Sequence, residues 1–143
     1  MKAISPVIAT VIIVAVAIAI AVAVAFWMTG ITGTFTRYEK LEITYAYAEY
    51  NETSAGWNVT LKVQNTGPSD ATVDDIFING KPLSTYGNNV QVNESLPMTI
   101  TSGSTKVVIV TLLETGGFGH GQTVEIKLHT AAGNEYPKQV TLP

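Results

Sequence analysis

From Val7 to Met28 the only polar side chain is Thr10, and no charged residue lies between Lys2 and Arg37. A run of this length can cross a bilayer, which takes roughly 20 apolar residues at 1.5 Å each. The stretch alternates Val-Ala-Val-Ala-Ile-Ala-Ile-Ala, which resembles the period of a strand. The alternation is between two apolar classes, however, so it creates no polar face. In lipid a lone strand would also leave its backbone groups unpaired, and a helix satisfies them internally. Ser5 before Pro6 fits an N-cap followed by proline at the first helical position. Gly30 and Gly33 fit a helix stop and a flexible hinge.

The helix carries small residues in register. Ala15, Ala19 and Ala23 continue an i, i+4 row from Val7 and Val11, and Ala17, Ala21 and Ala25 form another. Rows of this kind let apolar helices approach closely where no water drives them together. A plain membrane anchor rich in alanine is the simpler reading, and a helix built to pack against copies of itself is the sharper one. A secretory signal peptide competes: Lys2 supplies a basic start, and Ala23-Val24-Ala25 before Phe26 is an acceptable cleavage site. Against it, the apolar run is longer than the usual hydrophobic region of such peptides.

From about residue 37 the pattern is β throughout. Leu41, Ile43, Tyr45 and Tyr47 alternate with Glu42, Thr44, Ala46 and Ala48, the period of a strand. Trp57, Val59, Leu61 and Val63 alternate with Asn58, Thr60, Lys62 and Gln64, giving a half-buried strand with a clear outer face. Asn65-Thr66-Gly67-Pro68 reads as a turn before a strand over 71–78. Asn79-Gly80 is a strong two-residue hairpin signal. Further strands are expected near 89–93, 97–101, 105–113, 122–130 and 135–142, with turns at Ser102-Gly103, Gly116 to Gly121 and Ala132 to Asn134. Short strands at such spacing predict an immunoglobulin-like β-sandwich. The expected fold is therefore α+β, a lollipop in which residues 1–36 form the leader remnant, apolar helix and hinge and residues 37–143 the sandwich.

Lys2-Ala3-Ile4-Ser5-Pro6-Val7-Ile8-Ala9, followed by an unbroken apolar helix and a Thr-rich β domain, resembles the archaeal type IV pilins. Leu61-Lys62-Val63-Gln64-Asn65-Thr66-Gly67, with Ile76-Phe77-Ile78-Asn79-Gly80 after it, is similar to the β domains of archaeal pilins and archaellins. The resemblance implies an extracellular filament with the helices bundled in its core and the sandwiches on its surface. It also implies membrane residence before assembly, leader cleavage between Lys2 and Ala3 by a prepilin peptidase, and a pilus assembly machinery with a cytoplasmic ATPase. Two features depart from the family pattern. Only Met1-Lys2 precede the expected mature start, and the glutamate at position five of bacterial-type mature pilins has no counterpart here. Register between subunits then falls to shape and small-residue packing.

Physical chemistry points the same way. A naked helix of about 24 apolar residues exposes on the order of 1,000 Å² or more, which costs tens of kcal/mol in water at roughly 25 cal/mol per Å². A bundle of identical helices removes that cost, and open helical symmetry repeats the contact indefinitely.

Other functional classes find little support. The chain carries a net charge of −3 and a pI near 5.2, so it has no basic footprint for nucleic acid. Lys2 is the only charge before Arg37, and beyond it the other seven basic residues face all eleven acidic ones. The absence of cysteine removes disulfides and thiolate metal sites. Gly116-Gly117-Phe118-Gly119-His120-Gly121 precedes a strand, whereas a phosphate loop opens a helix, so a hairpin loop is expected. His120 and His129 read as surface histidines, and Asp70, Asp74 and Asp75 lack the spacing of a calcium loop. Tyr45, Tyr47 and Tyr50 could form a stacking platform, although strands favour aromatics anyway. No cofactor, metal site or catalytic constellation is expected. Three N-x-[ST] triplets, at Asn51, Asn58 and Asn93, are candidate N-glycosylation sites, Asn58 on the outward parity of its strand. The reading is a non-enzymatic, adhesive, self-assembling pilus subunit. Its alternative is a non-polymerising, membrane-anchored or secreted β-sandwich binding module.

Overall fold

Ser5 stands immediately before the helix and its carbonyl accepts the N–H of Ala9 at 3.1 Å, so Pro6 falls at the first helical position, where its missing donor costs nothing. The computed structural model describes residues 5–35 and 37–143. The helix, α1, is Pro6–Phe35, 30 residues and about 45 Å long at 1.5 Å per residue. It does not stop at Gly30 or Gly33, as the sequence led us to expect, but runs through both to Phe35. The reason is local. Neither glycine takes a positive φ, the conformation that makes glycine a terminator, and inside a helix each costs only about 1 kcal/mol relative to alanine. The hydroxyls of Thr29, Thr32 and Thr34 bond back to the carbonyls of Ala25, Met28 and Gly30 at 2.8, 2.8 and 3.2 Å. They thereby keep their polarity inside the helix. Thr10 does the same onto Pro6 at 2.7 Å.

The chain divides into two units, Met1–Arg37 and Tyr38–Pro143. The second is all β: β1 Leu41–Asn51, β2 Gly56–Asn65, β3 Ala71–Ile78, β4 Lys81–Pro82, β5 Val90–Val92, β6 Met98–Ile100, β7 Thr105–Leu113, β8 Thr123–Thr130 and β9 Glu135–Thr141. One antiparallel sheet has the order β1-β2-β7-β5. The other has the order β4-β3-β8-β9, with β6 also paired to β3. If β6 is set aside and the remaining strands are lettered in chain order A, B, C, C′, D, E, F, G, the two sheets become ABED and C′CFG. This is the immunoglobulin arrangement.

Alternation builds the core. Trp57, Val59, Leu61 and Val63 of β2 and Val108, Val110 and Leu112 of β7 are fully buried, as are Val73, Ile76 and Ile78 of β3 and Val124, Ile126 and Leu128 of β8. The expected strand over 71–78 is β3. Its two successive aspartates, Asp74 and Asp75, occupy a register shift that keeps both Val73 and Ile76 inward. The hairpin at Asn79-Gly80 has φ values of 50° and 78°, the left-handed pair that a type I′ turn requires. Asn79 Oδ1 also accepts the Glu125 N–H at 3.0 Å.

The alternation of β1 and the expected loop at 116–121 both give way. In β1 the alternation breaks at a bulge between Ile43 and Tyr45, so Thr44 and Tyr45 both point outward. Beyond it Tyr45 and Tyr47 face outward while Ala46 and Ala48 pack on the core. Tyrosine and alanine tolerate either side of a sheet, and only the small residues fit beside the side chains of β2. The glycine-rich segment 116–121 is not a hairpin loop either. It carries the chain from β7 in one sheet to β8 in the other and buries Phe118 beside Tyr86, ring centroids 5.6 Å apart.

Residues 38–40 are strapped to this unit. Lys40 O accepts the N–H groups of Thr66 and Gly67 at 2.8 and 3.3 Å, and Tyr38 O that of Ser69 at 3.3 Å. Glu39 Oε1 receives the hydroxyl of buried Thr130 and, at 2.8 Å, the amide of Asn134. Gly67 makes the close approach possible. A Cβ there would stand 2.6 Å from the Lys40 nitrogen and 2.9 Å from the Tyr38 oxygen.

Candidate assembly helix and the outer face of the sheet

Along α1 the alanine rows expected from sequence fall where helix geometry puts them, on i, i+4 ridges. Because the helix is continuous through its glycines, one row is longer than expected. Ala17, Ala21 and Ala25 continue through Thr29 to Gly33, five successive turns with nothing larger than threonine. Gly33, expected as a hinge, thus extends the small-residue ridge. No described residue of α1 is buried, and from Val7 to Met28 its large apolar side chains are from 48% (Val22) to 76% (Phe26) exposed. Val7 and Val11, at the start of the other row, are 70% and 61% exposed. The segment Pro6–Thr34 is long and apolar enough to cross a membrane. The expected leader junction at Lys2 and Ala3 lies outside the described residues.

On the β1-β2-β7 sheet the register lines up the outward side chains in rows. Tyr45, Lys62 and Val107 form one, Tyr47, Thr60 and Ile109 the next, and Glu49, Asn58 and Thr111 the third. The Tyr45 and Tyr47 rings stack, with centroids 5.9 Å apart and planes 27° apart, and Lys62 Nζ lies 5.6 Å from the Tyr45 centroid. Tyr50 is not part of this platform. It packs against Trp57 and His120, and its hydroxyl donates to Glu114 Oε1 at 2.8 Å. That bond holds its pKa above the ordinary tyrosine value.

The three sequon asparagines occupy different settings. Asn51, at the β1–β2 turn, accepts the Thr53 N–H on Oδ1 at 3.0 Å. Asn58, on the middle strand β2, accepts the Thr111 hydroxyl on Oδ1 at 3.0 Å. Asn93, just beyond β5, extends the ladder: its Oδ1 accepts the Ile109 N–H at 2.8 Å and its Nδ2 donates to Val107 O at 3.5 Å.

The two histidines are held at opposite sides of the chemistry. His120 Nδ1 is 2.7 Å from the Pro143 carbonyl oxygen, which also accepts the indole N–H of buried Trp57 at 2.9 Å. Facing a carbonyl, Nδ1 must carry the proton. His129 Nδ1 is 2.6 Å from Asp74 Oδ1. The bond between them raises the His129 pKa and lowers that of Asp74. The three aspartates considered for calcium are dispersed: Asp70 accepts the Ser102 N–H, Asp74 pairs with His129, and Asp75 accepts the Ile76 N–H. Among the described residues no group of three or more carboxylates and histidines converges.

Sequence reading missed one polar hub. Asn65 is fully buried; its Nδ2 donates to the carbonyls of Ser69 and Ile100 at 2.8 and 2.9 Å, and its Oδ1 accepts the Gly67 N–H at 3.0 Å. Its place at the inward parity of β2 was the available signal, since a buried asparagine must find partners for both ends of its amide.

No protein-family model matches the chain, and no curated protein does either. Among solved structures it is similar to the archaellum periplasmic stator protein FlaG from Sulfolobus acidocaldarius, with 20% identity and a TM-score of 0.50. That match covers 71% of this chain and 99% of FlaG, and it is a likeness of fold. A second match, to the chain of the Iho670 flagellar-like filament, has 14% identity and a TM-score of 0.42. It covers 96% of this chain and 98% of that one.

Proposed function

We propose that this chain is the structural subunit of an extracellular type IV-like pilus of archaeal kind. In this reading the α1 helices bundle in the filament core and the β units form an outer surface that serves adhesion. One observation carries the proposal: α1 is apolar on every side, buries none of its described residues, and belongs to a chain whose β unit closes its own core. A lipid bilayer covers such a helix before assembly and copies of itself cover it afterwards. The long ridge from Ala17 to Gly33 is what close helix–helix contact needs where hydrophobic driving force is absent. A prepilin peptidase and an assembly machinery are the partners this requires, and the chain itself is the partner in the polymer.

A second reading has its own support. The likeness to FlaG, a stator protein by name, fits a β-sandwich held at the membrane by α1 without polymerising. Electron microscopy of material sheared from native cells, with the N-terminal peptide identified by mass spectrometry, separates the two. Filaments of this chain starting at or near Ala3 are expected. Intact chain in the membrane fraction without filaments would leave only the anchor, and a soluble product starting at Phe26 would make the helix a discarded signal. Replacing Ala21 by Leu sharpens the test. It is expected to abolish filaments while leaving membrane insertion intact, and a plain anchor tolerates it.

A further inference from the structure

We propose that Asn58 is an N-glycosylation site and that the first sugar of its glycan lies against the outward ring of Tyr47, with Tyr45 beyond it. The proposal rests on export of the β unit, as in the function above, but not on polymerisation. Three observations meet at this place. Tyr45 and Tyr47 stand 41% and 44% exposed on an outer sheet face, so two stacked rings lie open to solvent. Asn58-Val59-Thr60 is a sequon on the same face. Thr60 is directly opposite Tyr47, and Asn58 is opposite Glu49, which makes Tyr47 the diagonal neighbour of Asn58, about 7–8 Å away and within reach of a large side chain. The Asn58 amide is also oriented: Oδ1 takes the Thr111 hydroxyl, which puts Nδ2, the atom that receives a sugar, on the side of the amide away from that bond.

The other two sequons lack this combination. Asn93 uses both ends of its amide on the β7 backbone, so a glycan there displaces a ladder contact. Asn51 has its oxygen in a local turn and lies two rows beyond Tyr47, at the end of β1. A pyranose suits the Asn58 neighbourhood because it has an apolar C–H face for the rings and hydroxyls for Glu49, Thr60 and Thr111. In the transfer, Nδ2 bonds to the anomeric carbon of a lipid-linked glycosyl phosphate or diphosphate, the anomeric C–O bond to phosphate breaks, and one amide proton leaves. The donor keeps the bonding pair as a phosphate leaving group.

Peptide mapping of the full chain recovered from native cell surfaces tests the site. A glycan mass is expected on the peptide containing Asn58. It is lost in Asn58→Gln and in Thr60→Ala, and retained in Thr60→Ser, Asn51→Gln and Asn93→Gln. A bare Asn58 overturns the proposal and leaves a neighbouring copy as the cover for the tyrosines; glycosylated Asn58 without filaments overturns only the polymer reading. Thermal unfolding tests the ring contact. The glycosylated wild type is expected to melt several degrees above Asn58→Gln, and that gap is expected to narrow when both carry Tyr47→Ala, what remains being the Thr111 hydrogen bond that the glutamine also gives up. An undiminished gap overturns the contact with the ring.

Discussion

At single positions the β unit depends on polar groups that the hydrophobic pattern does not reveal. Asn65 satisfies one buried and one half-buried carbonyl and one N–H with a single amide. Asn65→Ala takes the donor from both carbonyls, while the Gly67 N–H keeps the Lys40 carbonyl; since a buried unsatisfied group costs about 1–3 kcal/mol, a loss of roughly 2–4 kcal/mol is expected in denaturant unfolding. A loss below about 1 kcal/mol would mean that water replaces the amide. His129 and Asp74 give a pH signature. The His129 pKa is raised by its bond to Asp74, so its contribution to stability is complete below the unfolded value of about 6.5 and is lost as pH rises through the raised folded value. The Asp74 pKa is lowered by the same bond, so its contribution is present above the ordinary carboxylate range and is lost as pH falls through the lowered value. The pair is therefore most stabilising in the mildly acid range between them. Asp74→Asn is expected to move the imidazole titration of His129, followed by NMR, down toward the ordinary value. An unmoved midpoint would show that the raised pKa has another source.

At the scale of elements, strands and turns were legible where side-chain chemistry forced one face. β2 alternates large apolar with polar residues, and it is buried and exposed as read. Asn79-Gly80 specified its turn because asparagine and glycine tolerate positive φ. β1 was not legible beyond Ile43 because Tyr-Ala-Tyr-Ala has no intrinsic inner side; the choice belongs to the partner strand, which is distant information. The glycines of α1 were misread because a terminator acts only where the chain turns left-handed, and composition does not state φ. The candidate site was legible as a class, an apolar helix with small residues in rows. Its extension to Gly33 depended on helix continuity. The bulge yields a prediction: deleting Thr44 leaves Leu41, Ile43, Ala46 and Ala48 on their present inner side, so it is expected to cost no more than about 1–2 kcal/mol. Deleting Ala46 either sends Tyr47 and Glu49 inward, since a one-residue slip exchanges the two faces of a strand, or closes the bulge and forces Tyr45 into the inner place of an alanine, and on both routes it is expected to cost clearly more. Equal midpoints for the two deletions in urea would refute the assignment of the extra residue.

For the whole molecule the two units make opposite demands on their surroundings. The β unit buries its large apolar side chains between two sheets, satisfies its buried side-chain polar atoms among the described residues, and holds its own entry segment through Tyr38, Glu39 and Lys40. Nothing in that bookkeeping calls on α1. The helix, in contrast, presents apolar side chains all round and needs lipid or other helices. The consequence is that folding and assembly are separable. A fragment spanning 38–143 is expected to be a soluble monomer in gel filtration and to unfold cooperatively. A fragment beginning at Leu41 lacks the strap, and with it the acceptors of the Thr66 and Ser69 N–H groups and one of the two acceptors each of the Gly67 N–H and the Thr130 hydroxyl. At roughly 0.5–1.5 kcal/mol for each hydrogen bond, it is expected to be less stable by about 2–5 kcal/mol. If the 38–143 fragment aggregated or failed to fold, the β unit would need its helix, and the division of labour in which one segment polymerises while the other presents a finished surface would fall. If the two fragments were equally stable, the strap would be an incidental contact and the β unit would begin at β1.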